Sequence, residues 1–265
     1  MSLAPVNALN FGFGPLEHEF WRLLFAMTRI GAAMLAAPLF GGSNVPPQAR
    51  VIVAGAIAVL VCAWTPIAAP PAIFSANGLL IVAGEVLVGL SLGFVLQLSF
   101  AAPTIAAEVI GGAMGMGMAT AVDPNSGAHS PALGQYFAVV LTMVFLATGG
   151  HLQWIALLVD SYQAFPPGET WLGDAKAASI AGFGASMFVA AVTIALPVTL
   201  VLLVVQLVAG VLSRSAPALN LFALGLPAGV LAGFAALIAA APMVTDRMAD
   251  LSAAAVASAA QVLTK

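Results

Sequence analysis

Residues 79–100 read LLIVAGEVLVGLSLGFVLQLSF, an apolar run interrupted only by Glu85, Gln97 and the hydroxyls of Ser91 and Ser99. As a helix rising about 1.5 Å per residue, such a run crosses the hydrocarbon core of a bilayer, which is about 30 Å thick. The composition extends this reading to the whole chain. Of 265 residues, 62% are hydrophobic and 6% charged, with a mean hydropathy of +1.09. A soluble domain carries about 25% charged residues. The expected fold class is all-α, an integral membrane protein.

Five further stretches satisfy the same length criterion: about residues 20–40, which hold Arg22 and Arg29; 51–69, ending in Pro66; about 135–159, with Gly149-Gly150-His151 in the middle; 178–212, with Pro197 inside; and 221–241. About six long, partly broken hydrophobic helices are therefore expected. The run over 178–212 exceeds an upright crossing of about 30 Å, so it must tilt, kink at Pro197 or project from the bilayer. Arg29 and Glu85 fall inside spans, where charge is costly unless it faces a bundle interior, a partner or water. An internal or intersubunit polar surface is expected. Residues 245–265 read as a helix that leaves the membrane or lies along a partner. The cations give no clear orientation, because Arg50 and Arg214 fall to one side and Lys176, Arg247 and Lys265 to the other.

A net charge of -3 with seven scattered Lys and Arg leaves no basic patch for nucleic acid. Residues 1–13 show no positive n-region or cleavage-like site, so no cleaved signal peptide is expected and insertion should use the first span. Cys62 stands alone in an apolar run, which reads as packing rather than as a reactive thiolate.

Past Glu108 the chain enters Gly111-Gly112-Ala113-Met114-Gly115-Met116-Gly117-Met118-Ala119-Thr120. Glycine admits backbone conformations that other residues resist, and methionine is a soft, unbranched filler. Two readings stand at this point. The run is a deformable apolar seal able to block a pore reversibly, or it packs helices closely through Gly111, Gly112 and Gly115 with methionines as core. Glycine-rich backbone at membrane depth needs shielding by protein or a cavity, which a pore lumen supplies. Asp123-Pro124-Asn125-Ser126-Gly127 reads as a turn ending the run.

Gly89-Leu90-Ser91-Leu92-Gly93 matches the pattern of a hydrolase elbow, but that motif needs a strand before the turn. In an apolar helix Gly89 and Gly93 instead make a small-residue packing face, as do Gly225, Gly229 and Gly233. His129 and His151, even with Asp123 or Glu108, lack the paired spacing of a metal site. No catalytic residue, metal or cofactor is expected.

Three stretches resemble the FliR family of flagellar type III export proteins. They are residues 84–94 running on through Glu108, Gly111-Gly112-Ala113-Met114-Gly115-Met116 and Asp123-Pro124; then Gly149-Gly150-His151 with Ser161 and Pro166-Pro167-Gly168; then Leu196-Pro197, Gln206, residues 210–217 and 219–227. The resemblance implies a non-enzymatic export-gate subunit of the flagellar basal body in the bacterial inner membrane. It implies a helical assembly with FliP-like and FliQ-like subunits, contact with a separate FlhB-like export switch protein, and passage of unfolded flagellar proteins. Residues 1–175 would be the FliP-like part and 176–265 a FliQ-like helical hairpin. The pore plug would fall on about residues 111–122, with Met114, Met116 and Met118 packed across the closed pore and Gly111, Gly112, Gly115 and Gly117 giving mobility. Glu85, Glu108, Arg214 and Asn220 are the candidate polar in-membrane or subunit contacts.

The related injectisome export gate is the first alternative, although Leu212-Ser213-Arg214 with residues 219–222 looks more flagellar. From other classes, a small-solute secondary transporter would also use broken helices at the midplane, but no inverted repeat is visible. A membrane hydrolase would need a nucleophile and base that the chain does not bring together in sequence.

Overall fold

The computed structural model describes residues 15–42, 45–67, 74–116, 131–168, 174–215 and 221–263. Among these, the regular elements are all helices: α1 Pro15–Ala36, α2 Pro38–Gly41, α3 Pro47–Trp64, α4 Ala76–Ala113, α5 Pro131–Ala147, α6 Gly150–Ala164, α7 Asp174–Ser215 and α8 Leu221–Leu263. The all-helical expectation holds.

The number of spans is smaller than the six expected. Four helices, α3, α4, α7 and α8, are long and apolar enough to cross a membrane, and up to five spans result if α5 and α6 count as one broken crossing. The expected first span fails on charge, because α1 carries Glu17, Glu19, Arg22 and Arg29 within 22 residues. The expected fourth span is broken at Gly149, whose φ of +73° lies in the left-handed region that glycine adopts without a Cβ penalty.

With 38, 42 and 43 residues, α4, α7 and α8 are each about 57–65 Å long, roughly twice the hydrocarbon core. Pro103, Pro197, Pro227 and Pro242 lie inside these helices; each removes one backbone bond while the rest of the ladder continues. Residues 245–263 do not form a separate tail. They continue α8, and the last turns bury Ala255, Ala259 and Val262 within the chain.

The described residues form two compact units. One gathers those up to Gln97, His151–Phe183 and those from Ala255; the other gathers Leu98–Gly150 and Gly184–Ala254. In the first unit, α1 buries Phe25, Ala26, Arg29, Ile30, Ala33 and Met34, and α6 buries Trp154, Leu158, Ser161 and Tyr162. These i, i+3 and i+4 spacings put each set on one helical face. In the second unit α5 does the same with Leu133, Phe137, Leu141 and Phe145.

Candidate functional site

The first unit holds a buried polar centre built by three helices. Arg29 on α1 meets Glu85 on α4, with Nε donating to Oε2 at 2.8 Å and Nη2 to Oε1 at 2.9 Å. Nη1 donates to the carbonyl of Ser161 at 2.7 Å and to its Oγ at 3.1 Å, and Nη2 also donates to the carbonyl of Phe165 at 2.9 Å. A guanidinium has five N–H donors, and these contacts use all of them. Two accepting carbonyls lie at the end of α6, that of Phe165 just past the helix and that of Ser161, which also accepts from the Phe165 N–H at 2.9 Å, so Arg29 ties down the end of that helix. The Tyr162 ring lies 4.2 Å from the guanidinium carbon, and its hydroxyl donates to the carbonyl of Ala26 at 2.6 Å. Arg29 is 1% exposed and Glu85 3%.

The close approach of α4 to α1 explains the glycine-serine-glycine pattern. A methyl group at Gly89 or Gly93 would strike the carbonyl oxygens of Arg29 and Ala33. Ser91 Oγ donates back to the Leu87 carbonyl at 2.8 Å. The stretch is helix interior, and its glycines let two backbones touch.

In the second unit the glycine and methionine run begins as the end of α4. Met116 N–H donates to the Gly111 carbonyl at 3.0 Å and Gly115 N–H to the Gly112 carbonyl at 3.0 Å, and Gly115 has φ +84°. A 6→1 bond, a 5→2 bond and a left-handed glycine after the cap constitute a Schellman motif. Gln206 Nε2 on α7 donates to the next carbonyl, that of Ala113, at 2.6 Å. Met114 is 1% exposed. It packs against α8 where side chains are missing: a methyl group at Gly233 would lie 2.7 Å from the Met114 Sδ, and one at Gly229 would lie 3.1 Å from its carbonyl oxygen. Met114 and Met116 also line a cavity of about 390 Å³, together with Phe137, Phe234, Val244 and Met248.

Of the singled-out residues, Gly111, Gly112, Met114, Gly115 and Met116 thus gather at one capped turn. Gly117, Met118, His129 and Asn220 lie outside the described residues. Glu108 and Arg214 are exposed on α4 and α7, and Glu85 is engaged by Arg29. Among the described residues no cluster of three or more His, Cys, Asp or Glu is placed to hold a metal. Sequence reasoning assigned no role to Tyr162, Ser161 or Gln206. For Gln206 there was a signal, an amide in the middle of the apolar run 204–208.

A helical chain with four or five membrane-length apolar elements and a buried ion pair is a multi-pass membrane protein. Residues 20–255 match the family described as Bacterial export proteins, family 1. The flagellar biosynthetic protein FliR of Escherichia coli (strain K12) is 32% identical to this chain over 229 residues, 86% of each chain. FliR of Bacillus subtilis (strain 168) is 33% identical over 219 residues, 81% of this chain and 84% of its own. FliR of Pectobacterium carotovorum subsp. carotovorum is 30% identical over 236 residues, 89% and 90%. The chain belongs to the FliR family of bacterial export proteins.

Proposed function

We propose that this protein is a non-enzymatic core subunit of the flagellar type III export gate, through which unfolded flagellar proteins cross the bacterial inner membrane. Its partners in this reading are FliP-like and FliQ-like subunits and an FlhB-like switch protein. Residues 1–175 serve as the FliP-like part and 176–265 as the FliQ-like hairpin; the two compact units cut across this division because α7 and α8 contribute to both. Residues 111–122 act as the plug of the closed pore.

Membership of the FliR family supports the export role. The observation that carries the plug assignment is the arrangement at α4's end, where Met114 is buried against Gly229 and Gly233 while Met116 borders an apolar cavity. Gly115 adopts a left-handed backbone that most other residues resist. Exposed Glu108 and Arg214 are proposed subunit contacts, as is Asn220, whereas Glu85 supports assembly indirectly by ordering α1 against α4.

The test is the native mass of a tagged copy expressed with its neighbouring genes and extracted in mild detergent. One copy bound to several FliP-like and FliQ-like chains is expected. A stable, partner-free protein that binds a small solute would replace this reading with the transporter. Within the assembled gate, deleting residues 111–122 should raise ion leakage without abolishing assembly, and an unchanged leak would remove the plug assignment.

A further inference from the structure

We infer that the outward face of α3 is a lipid-facing wall, seated against the acyl chains of one bilayer crossing, and that α6 in the same unit faces away from lipid. The inference rests on the membrane class of the chain and not on the plug. With 18 residues α3 is about 27 Å long, and of the four membrane-length helices it alone matches a hydrocarbon core of about 30 Å. It buries only Ala54, Ala58 and Val61. Ile52, Val59 and Leu60 are exposed, and Trp64 at its end is 73% exposed. Residues 51–63 carry no side-chain nitrogen or oxygen, whereas a protein interface makes about one hydrogen bond per 100–200 Å². An acyl chain asks for none.

Charge on this side of the first unit is layered as a bilayer is. In the first turn of α3, Arg50 turns its Nη2 to the carbonyls of Gly42 and Val45, at 2.5 and 3.0 Å. At the other end Arg22 of α1 donates to the carbonyls of Cys62 and Thr65 and to Glu19. Trp64 and Trp21, whose ring centroid is 6.2 Å from that of Phe74, stand at this same end, and tryptophan collects where lipid meets water. From there α1 runs back along α3, with Met27 against Gly55. Arg29 lies about 10 Å along α1 from Arg22, near the mid-depth of α3, and at that level it is paired with Glu85 and both are buried, as charge inside hydrocarbon has to be. Ser161, which Arg29 touches, has exposed Asp160 and Gln163 beside it on α6. An uncovered carboxylate is costly at that depth in lipid, so α6 turns to protein or water and α3 to the acyl chains.

The experiment places spin labels on cysteines introduced one at a time into the full chain carrying Cys62→Ala, or Cys62→Ser should alanine fail to assemble. The chain is reconstituted in phospholipid vesicles together with the chains that co-purify, those chains being free of cysteine. Ile52→Cys, Ala56→Cys and Val59→Cys sample the α3 face, Trp64→Cys its end and Asp160→Cys α6. Collision with dissolved oxygen, which concentrates in hydrocarbon, should peak at Ala56→Cys and fall towards Ile52→Cys and Trp64→Cys, while a water-soluble nickel chelate shows the reverse. The oxygen-to-nickel ratio at Asp160→Cys should be several-fold lower than at Ala56→Cys. A label at Ala56→Cys that neither reagent reaches would put a protein subunit on α3, and one reached by both would put water there; either overturns the inference. Equal ratios at Ala56→Cys and Asp160→Cys would remove the one-sided arrangement. Failure of the labelled mid-helix variants to assemble while Trp64→Cys assembles also counts against it, because acyl chains yield to a bulky label and a subunit interface does not. None of these outcomes touches the export-gate reading, which native mass tests separately.

Discussion

Arg29 and Glu85 close a two-point ion pair across 56 residues of sequence, at 2.8 and 2.9 Å, with side chains that keep only 1% and 4% of their accessible surface. Removing one partner of such a pair strands the other charge without water, at a cost of about 3–5 kcal/mol. Glu85→Ala should therefore lower the thermal midpoint of the detergent-extracted protein sharply, read by size-exclusion fluorescence after heating. The double variant Arg29→Met with Glu85→Leu should recover part of the loss. Recovery stays incomplete because the end of α6 loses the bonds that Arg29 donates to the Ser161 carbonyl and hydroxyl and to the Phe165 carbonyl. Equal damage in single and double variants would show that the pair itself contributes little.

Tyr162 separates two contributions to the same centre. Tyr162→Phe keeps the ring over the guanidinium and loses only the bond to the Ala26 carbonyl, so it should cost about 1 kcal/mol. Tyr162→Ala also leaves a cavity and should cost about 3–5 kcal/mol. The same heating assay ranks the two, and a Phe variant as damaged as the Ala variant would refute the division.

Glycines on α4 should respond by position. Gly89→Ala drives a methyl group into the backbone of α1, which cannot yield as a side-chain tip can, so a loss of about 1–3 kcal/mol is expected. Gly84→Ala meets no atom within 4 Å and should be neutral or stabilising by up to about 1 kcal/mol, the helix preference of alanine over glycine. Parallel thermal midpoints check the contrast, which fails if the two substitutions behave alike.

At the end of α4 the left-handed Gly115 should reject β-branched residues more strongly than asparagine. Gly115→Val should cost more than the about 1–2 kcal/mol typical of a left-handed L-residue, and Gly115→Asn less. The yield of intact gate after extraction reads the difference. Equal yields would mean that the Schellman turn is not needed for assembly.

Class and family were legible in the chain because hydropathy over a membrane length and the spacing of glycine, methionine and proline are local properties. The small-residue reading of Gly89 and Gly93 also came from spacing alone, since two glycines four apart lie on one helical face. The span count was less legible. Length and apolarity suggested a first and a fourth crossing, but the charges of α1 and the break at Gly149 removed them as single spans.

What sequence by itself determined is an all-helical chain of the FliR family with a glycine and methionine run after a long apolar helix. The tertiary structure alone decided which atoms meet: Arg29 with Glu85 and the end of α6, Gln206 with Ala113, and Met114 with Gly229 and Gly233. The physical reason is that a charge or an amide in an apolar helix announces that it needs a partner, since burial without one is costly. Which partner it finds depends on the register between helices distant in sequence, and no local pattern records that.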